Sequence, residues 1–244
     1  MNIEHVAVQL YTLRDLTSKD MLGTLRQLAS IGYRAVELAG YGDATPETIR
    51  ATLDEVGMRA ISAHVQLERI EQDTDQVVQE MQTLGCEYLV VPWLPEEQRG
   101  SQAKAQTLAE RLNRVAPQVT GQGLRLAYHN HDFEFAPVDG TTMWDVLIAE
   151  ADPAVEFELD VYWAAFAKRD PIALIKEQGS RIALLHLKDQ AADTGKDAPV
   201  GDGVLPWSEI LAASNARWLI TEQDHPRDPI DDVTRSLRYL EGLK

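Results

Sequence analysis

The feature that most constrains the fold is an alternation of short, apolar, β-type runs with longer amphipathic stretches, which repeats eight times along the 244 residues. Such an alternation is typical of βα units around a parallel sheet. Eight units of roughly 30 residues each favour closure of that sheet into a barrel. We therefore predict one α/β domain over residues 1–244, a (β/α)8 TIM barrel. The eight runs are HVAVQL (5–10), YRAVELA (33–39), MRAISAHV (58–65), EYLVVPW (87–93), LRLAYHN (124–130), AVEFELD (154–160), RIALLHLKD (181–189) and RWLITEQD (217–224).

Apolar residues between these runs recur at helical spacing. Steps of three and four residues place them on one face of a helix, which predicts helices packed outside the barrel. The two clearest stripes are Leu108, Leu112, Val115 and Val119, and Ile230, Val233, Leu237 and Leu240.

Composition excludes several classes of protein. With 39 acidic and 23 basic residues the net charge is −16, so the surface would repel a nucleic-acid backbone, and we expect no nucleic-acid partner. No apolar run approaches the roughly 18 residues of a membrane span. The amino-terminal sequence MNIEHVAVQL lacks the features of a secretion signal, which predicts a cytoplasmic protein. Cys86 is the only cysteine and is expected to be a buried thiol. Apolar and aromatic residues on several loops are compatible with a homodimer.

Polar, proton-handling side chains collect at the ends of the later runs. Residues 129–134 follow the fifth run, Asp160 ends the sixth, His186 and Lys188 lie at the end of the seventh, and Glu222 lies near the end of the eighth. Strand carboxyl ends face one mouth of a TIM barrel, where catalytic groups gather. Asp160, His186 and Glu222, with a carboxylate or imidazole from 129–134, would therefore converge as a metal cage. One imidazole among oxygen ligands favours Mn²⁺ or Mg²⁺ over structural zinc, and Zn²⁺, Co²⁺ and Fe²⁺ are compatible.

Each of these residues also has a purely structural interpretation. Asp160 alone could be a helix cap, His186 a hydrogen-bonded core residue, and Lys188 the partner of Asp189 in an exposed salt bridge. The recurrence of such groups at corresponding places in four consecutive runs favours the metal site. The irregular stretch 190–207 is interpreted as a lid or wall beside that mouth.

Several of these motifs resemble the sugar phosphate isomerase/epimerase superfamily of xylose isomerase-like TIM barrels. The resemblance extends over essentially the whole chain and rests mainly on YHNHDFEF, FELDVYW, ALLHLKD and WLITEQD. It implies one divalent metal held by Glu, Asp, His and Glu from the last four strands, here Glu134, Asp160, His186 and Glu222. Relatives often carry the first glutamate at the strand end, where this chain has His129, so His129 is the alternative first ligand.

The resemblance also implies chemistry on a keto-sugar or related polyol carbonyl. Glu134 or Glu222 would remove a proton beside the carbonyl to give an enediolate, and the predicted reaction is isomerisation or epimerisation. The alternative is a lyase or hydratase reaction that expels a β-oxygen substituent from a 3-keto-glycoside or inosose, with His129 or His131 as the acid. His64, Trp93, His131, Trp163 and Lys188 are expected to bind the substrate. Trp163 stands where ketose epimerases carry a histidine, which weakens the epimerase interpretation because an indole cannot carry protons.

Two further hypotheses belong to other classes. A DNA-repair endonuclease on the same barrel would need basic phosphate-gripping loops and more histidines than the six present, so it is disfavoured. A non-catalytic sugar-binding barrel would need a degenerate metal site, whereas four candidate ligands are present.

Overall fold

The computed structural model describes residues 3–243, which form one closed barrel of eight parallel strands. Each strand pairs with its neighbours along the chain, and the eighth closes on the first. Every predicted run contains one of these strands, so the predicted fold is confirmed. The strands are β1 (Val6–Gln9), β2 (Ala35–Leu38), β3 (Arg59–His64), β4 (Tyr88–Val91), β5 (Arg125–His129), β6 (Val155–Asp160), β7 (Ile182–Leu187) and β8 (Trp218–Thr221).

Ten α-helices lie within the described part of the chain. Both predicted stripes lie on helices: Leu112 and its companions are buried on the fifth, and Leu237 is buried on the tenth, where Ile230 packs against the core while only partly buried. The helices are α1 (Arg14–Ile31), α2 (Pro46–Val56), α3 (Leu67–Gln72), α4 (Thr74–Leu84), α5 (Gln102–Thr120), α6 (Met143–Glu150), α7 (Val161–Phe166), α8 (Pro171–Gln178), α9 (Trp207–Ala213) and α10 (Pro229–Gly242).

Two apolar layers follow from the alternation of side chains along each strand. On β7, Leu185 and Leu187 belong to the large cluster that includes the helices, whereas Leu184 belongs to a smaller cluster made of strand residues. His186 and Lys188 continue the face that begins with Leu184, so they extend into the barrel interior. The apolar interior therefore gives way to polar side chains toward the carboxyl ends of the strands.

The segment after β7 is folded back on itself. Asp189–Gln190 pairs antiparallel with Asp197–Ala198. The Asp189 carboxylate accepts hydrogen bonds from the backbone N–H groups of Gly201 (2.9 Å) and Leu205 (3.0 Å) and from the indole N–H of Trp207 (2.6 Å). These bonds hold the predicted lid or wall as an ordered loop.

Cys86 is a buried free thiol, as the sequence predicts. Among residues 3–243, no helix combines the length and the apolar character that a membrane crossing requires.

Candidate metal centre and substrate pocket

Strand register brings distant polar residues together at the carboxyl end of the barrel. His129 on β5 lies opposite Glu158 on β6, and Asp160 on β6 lies opposite His186 on β7. Glu222 directly follows β8, whose Ile220 lies opposite His186. The polar ends of β5 to β8 therefore meet at one place, as the sequence predicts.

A buried group of four side chains within the described residues has the composition of a metal site. It consists of His129, Asp160, His186 and Glu222, whose candidate ligand atoms all lie within 4.8 Å of one another. Three of these are predicted ligands, and the fourth is the alternative first ligand. A divalent cation held by two imidazoles and two carboxylates, with open positions for substrate, is consistent with this arrangement.

Two observations fit a cation at this group. Within the described residues, His129 Nε2 and Asp160 Oδ2 are buried without a hydrogen bond, although Asp160 Oδ2 lies 3.0 Å from Lys188 Nζ. The surrounding buried network also has excess negative charge. Its five carboxylates face one lysine and three histidines, so the network stays negatively charged even with every imidazole protonated, and a cation would balance that charge. The carboxylates are Glu37, Glu158, Asp160, Glu222 and Asp224, and the basic residues are His64, His129, His186 and Lys188.

Glu134, the predicted first ligand, lies outside this group. A short 3-10 turn, Phe133–Phe135, directs its buried carboxylate back toward the strand. There it accepts hydrogen bonds from the Tyr128 hydroxyl (2.6 Å) and from the backbone N–H of His131 (2.7 Å). Glu134 thus fixes the loop that carries His131, and the geometry groups His129 with the other candidate ligands instead.

The free energy of unfolding of Glu134→Gln is expected to increase, relative to that of the wild type, as the pH rises. Burial raises the pKa of Glu134 to about 7 despite the hydrogen bonds from Tyr128 and His131. The folded-state pKa thus exceeds the unfolded value near 4.5, so the wild type loses stability between pH 4.5 and 7, whereas glutamine does not titrate. Between pH 5 and 8 the unfolding free energy of Glu134→Gln minus that of the wild type should increase by about 2 to 3 kcal/mol. Urea unfolding with chelator measures this shift, and a pH-independent difference would show that Glu134 is ionised when folded.

Lys188 is fully buried, with its ammonium among three carboxylates. Its Nζ lies 3.0 Å from Asp160 Oδ2, 2.7 Å from Glu222 Oε2 and 2.8 Å from Asp224 Oδ2. Burial lowers its pKa, but these carboxylates outweigh burial and raise the pKa well above the usual value. The structural interpretation of Lys188 as the exposed partner of Asp189 is wrong, because Asp189 accepts its hydrogen bonds from the loop that follows.

The positive charges of Lys188 and the neighbouring imidazoles keep two candidate ligands ionised. Burial raises the pKa of Asp160, but Lys188 and the neighbouring imidazoles lower it to about 2. Glu222 behaves alike: Lys188 and His186 overcome burial and hold its pKa well below the usual value. Both side chains are therefore anions at neutral pH, the state in which a carboxylate ligates a cation.

A second buried group lies directly beneath the first. Glu37, His64, Glu158 and His186 also place their candidate ligand atoms within 4.8 Å of one another. Of these, only His64 and His186 are among the site residues predicted from the sequence. The signal for Glu37 is a charged residue in the centre of the apolar run YRAVELA, where burial demands a compensating partner.

A cavity of about 440 Å³ opens above these groups. Three of the predicted substrate-binding residues, His64, Trp93 and His131, line it, and Trp93 remains 40% exposed. Trp163 stands behind His131, with ring centroids 5.7 Å apart, and Lys188 lies below the cavity wall. The lining residues are Tyr11, Ala39, His64, Gln66, Pro92, Trp93, His129, His131, Glu222 and Asp224.

Two of the lining histidines differ in charge. Burial lowers the pKa of His131 well below the usual value, and the charges of His129 and Lys188 add to this effect. Burial also lowers the pKa of His64, but the carboxylates of Glu37 and Glu158 outweigh it and raise the pKa to about 10. The pocket therefore offers a neutral imidazole and an imidazolium at pH 7.

Comparison with known families agrees with this architecture. A family described as xylose isomerase-like TIM barrel matches residues 25–243. The chain belongs to the xylose isomerase-like TIM barrel family. Among solved structures of similar fold, a sugar phosphate isomerase/epimerase from Parabacteroides distasonis has a TM-score of 0.85 at 24% identity, with 98% of this chain and 95% of that chain covered. Another, the probable 3-DHS dehydratase AsbF from Bacillus anthracis, has a TM-score of 0.79 at 14% identity, with 98% and 99% covered.

Curated relatives of this xylose isomerase-like barrel carry a more specific name. The inosose dehydratase of Geobacillus kaustophilus is 27% identical over 194 residues, which are 69% of this chain and 62% of that protein. The inosose dehydratase of Clostridium tetani is 28% identical over 159 residues, 55% and 53% of the two chains. The matched region thus spans between about half and three-fifths of these relatives.

Proposed function

We propose that this barrel is a divalent-metal-dependent carbon–oxygen lyase that removes water from an uncharged cyclic polyol ketone of the inosose type. The observation that carries the proposal is the convergence of His129, Asp160, His186 and Glu222 at the cavity that His64, Trp93 and His131 line. The names of the curated relatives support elimination over the isomerisation predicted from the sequence. Isomerisation or epimerisation passes through the same enolate and is the alternative outcome.

In this proposal the cation is held by His129, Asp160, His186 and Glu222. When bound, it supplies Lewis-acid chemistry to the substrate carbonyl, which acidifies the neighbouring C–H bond. Glu222 and His129, both predicted to move protons, are then ligands. Glu222 is also a weak base, because Lys188 and His186 hold its pKa well below the usual value.

His131 is the better candidate for the base. Its imidazole is neutral and lines the pocket, and its Nδ1 is buried without a hydrogen bond in the described residues. The proton beside the carbonyl would pass to this imidazole. Trp163, packed beside His131, cannot carry a proton, which supports elimination over epimerisation.

His64 is the corresponding candidate for the acid. Its Nε2 faces Glu158 at 2.8 Å, while its Nδ1 has no hydrogen-bond partner in residues 3–243 and belongs to a side chain that lines the pocket. As the carbon–oxygen bond breaks, its electron pair would go to the leaving oxygen, and the Nδ1 proton would convert that oxygen to water. Exchange with solvent through the open pocket restores both histidines.

The proposal is tested by incubating an inosose in D2O with the manganese-loaded protein and with the chelated protein. Loss of water is followed by mass spectrometry, and proton exchange beside the carbonyl by NMR. We expect dehydration that requires the cation and that falls about 100-fold or more in His131→Gln. His225→Gln is the matched control, because His225 is 77% exposed and pairs with Asp197 outside the pocket.

Each alternative gives a different result in this experiment. Exchange without loss of water would identify an isomerase or epimerase. Neither exchange nor dehydration, with substrate still bound, would identify a non-catalytic binding barrel.

A further inference from the structure

Glu37 is an acidic side chain that the proposed reaction does not use. It lies on β2 inside the barrel, is fully buried, and is absent from the residues that line the cavity. Its Oε1 lies 2.8 Å from Gln9 Nε2 and 2.7 Å from His186 Nε2, and its Oε2 accepts a hydrogen bond from Ser62 Oγ at 2.5 Å. His64 Nε2 lies 3.2 Å from Oε1. Every neighbour is a donor, so the carboxylate is held as an acceptor for all of them.

The contact between Glu37 and His186 crosses the barrel interior. β2 and β7 are not neighbours in the sheet, and the two residues are 149 positions apart in the chain. Glu37 lies on β2 between Gln9 on β1 and Ser62 on β3, which are its register partners and also donate hydrogen bonds to it. The fold therefore aims this carboxylate at one nitrogen of His186.

The two nitrogens of His186 have different partners. Nε2 lies 2.7 Å from Glu37 Oε1 and, farther away, 3.2 Å from Glu158 Oε2, whereas Nδ1 lies 2.9 Å from Glu222 Oε2 within the candidate metal centre. A histidine that donates one ring N–H to a carboxylate offers the lone pair of the other nitrogen to a metal, with the ring orientation fixed. In His186 that geometry leaves Nδ1 for the cation.

The second buried group, which consists of Glu37, His64, Glu158 and His186, is better explained as a support for the metal centre than as a second cation site. His64 Nε2 and His186 Nε2 already occupy the space between the carboxylates, at 2.7 to 3.2 Å from Glu37 and Glu158. Of its carboxylate oxygens, Glu158 Oε1 is without a hydrogen bond in the described residues. The number of ions bound per chain therefore distinguishes the two interpretations.

We infer that Glu37 is a positioning residue of the metal centre: it holds the imidazole of His186 through Nε2 and so presents Nδ1 to the cation. Gln9 and His186 share Oε1 of Glu37, whereas Ser62 bonds only Oε2, the oxygen away from His186. This inference concerns cation affinity and holds whether the bound enzyme eliminates water or isomerises its substrate.

The test compares Mn²⁺ binding to the wild type, Glu37→Gln and Ser62→Ala by isothermal titration calorimetry. Glutamine has a single acceptor oxygen and cannot serve donors on both sides, so we expect a 10- to 100-fold higher Kd, the usual cost of losing such a partner. Ser62→Ala removes another hydrogen bond of the same carboxylate and leaves the contact with His186, so its Kd should stay close to that of the wild type. All three proteins should bind one ion per chain.

A second readout is the protonation of the His186 ring. In zinc-loaded, ¹⁵N-histidine-labelled wild type, NMR should show the proton on Nε2 and the metal on Nδ1, and Glu37→Gln should lose this single pattern. If Glu37→Gln does not fold, Glu37→Asp replaces it, because the shorter side chain withdraws the carboxylate from Nε2 and should also weaken binding.

Three results would overturn the inference. The first is a Kd for Mn²⁺ in the Glu37 variants equal to that of the wild type. The second is a loss of affinity in Ser62→Ala as large as that in Glu37→Gln. The third is a wild type that binds two ions per chain, one of which the Glu37 variants no longer bind. A wild type that binds one ion tightly yet neither dehydrates nor exchanges its substrate would contradict the proposed function alone.

Discussion

Replacement of Lys188 with methionine is expected to lower the unfolding free energy of the metal-free protein by about 3 to 5 kcal/mol. Methionine fills most of the space but leaves Asp160, Glu222 and Asp224 buried without the ammonium that now lies within 3.0 Å of each. Unpaired buried carboxylates are costly because the barrel interior solvates them poorly. Urea unfolding in the presence of chelator, at neutral pH, measures the change.

A divalent cation should partly reverse this loss. Mn²⁺ would supply positive charge to Asp160 and Glu222, and a ligand that binds only the folded state stabilises it by mass action. Lys176→Met is the matched control, since Lys176 is exposed on α8. A loss no larger than that of the control would show that Lys188 does not balance the charge of the centre.

The second large effect is expected for Asp160→Asn, which should weaken Mn²⁺ binding at least about 100-fold and reduce substrate turnover by at least as much. Asparagine keeps the shape but loses the charge of the oxygen that faces the cation. Folding should survive, because Asp160 Oδ1 caps α7 by accepting a hydrogen bond from the Trp163 N–H (3.0 Å), and the asparagine oxygen can accept the same bond.

The control for this variant is another capping aspartate. Asp170 accepts a hydrogen bond from the Ile172 N–H (2.9 Å) at the start of α8, and it does not line the cavity. Asp170→Asn should keep the wild-type affinity for Mn²⁺. If both variants bind the ion as the wild type does, Asp160 serves only as a helix cap.

The barrel and much of its metal centre are predictable from sequence because parallel strands all run in the same direction. Once eight runs are recognised, their carboxyl ends must meet, and Asp160, His186 and Glu222 meet with them. These residues lie on or directly after strands, where position in the run fixes the direction of the side chain. That is why spacing alone brings them together.

Two features of the centre lie beyond such reasoning. Whether His129 or Glu134 joins the group depends on the turn Phe133–Phe135, whose direction strand periodicity does not determine. The apolar run around Glu37 indicates that its carboxylate needs a partner, but which partners it has depends on residues far away in the chain, Gln9 at 28 positions and His186 at 149. Both features follow from tertiary contacts that no local pattern encodes.

The central claim is that His129, Asp160, His186 and Glu222 share one cation at the carboxyl end of the barrel. Crystals grown with Mn²⁺ and measured at the manganese absorption edge test it directly. We predict one strong anomalous peak per chain within bonding distance of Asp160 Oδ2, His186 Nδ1 and Glu222 Oε2, with His129 Nε2 completing the set. A peak elsewhere in the barrel, or no peak at this position with the ion present in excess, would contradict the account.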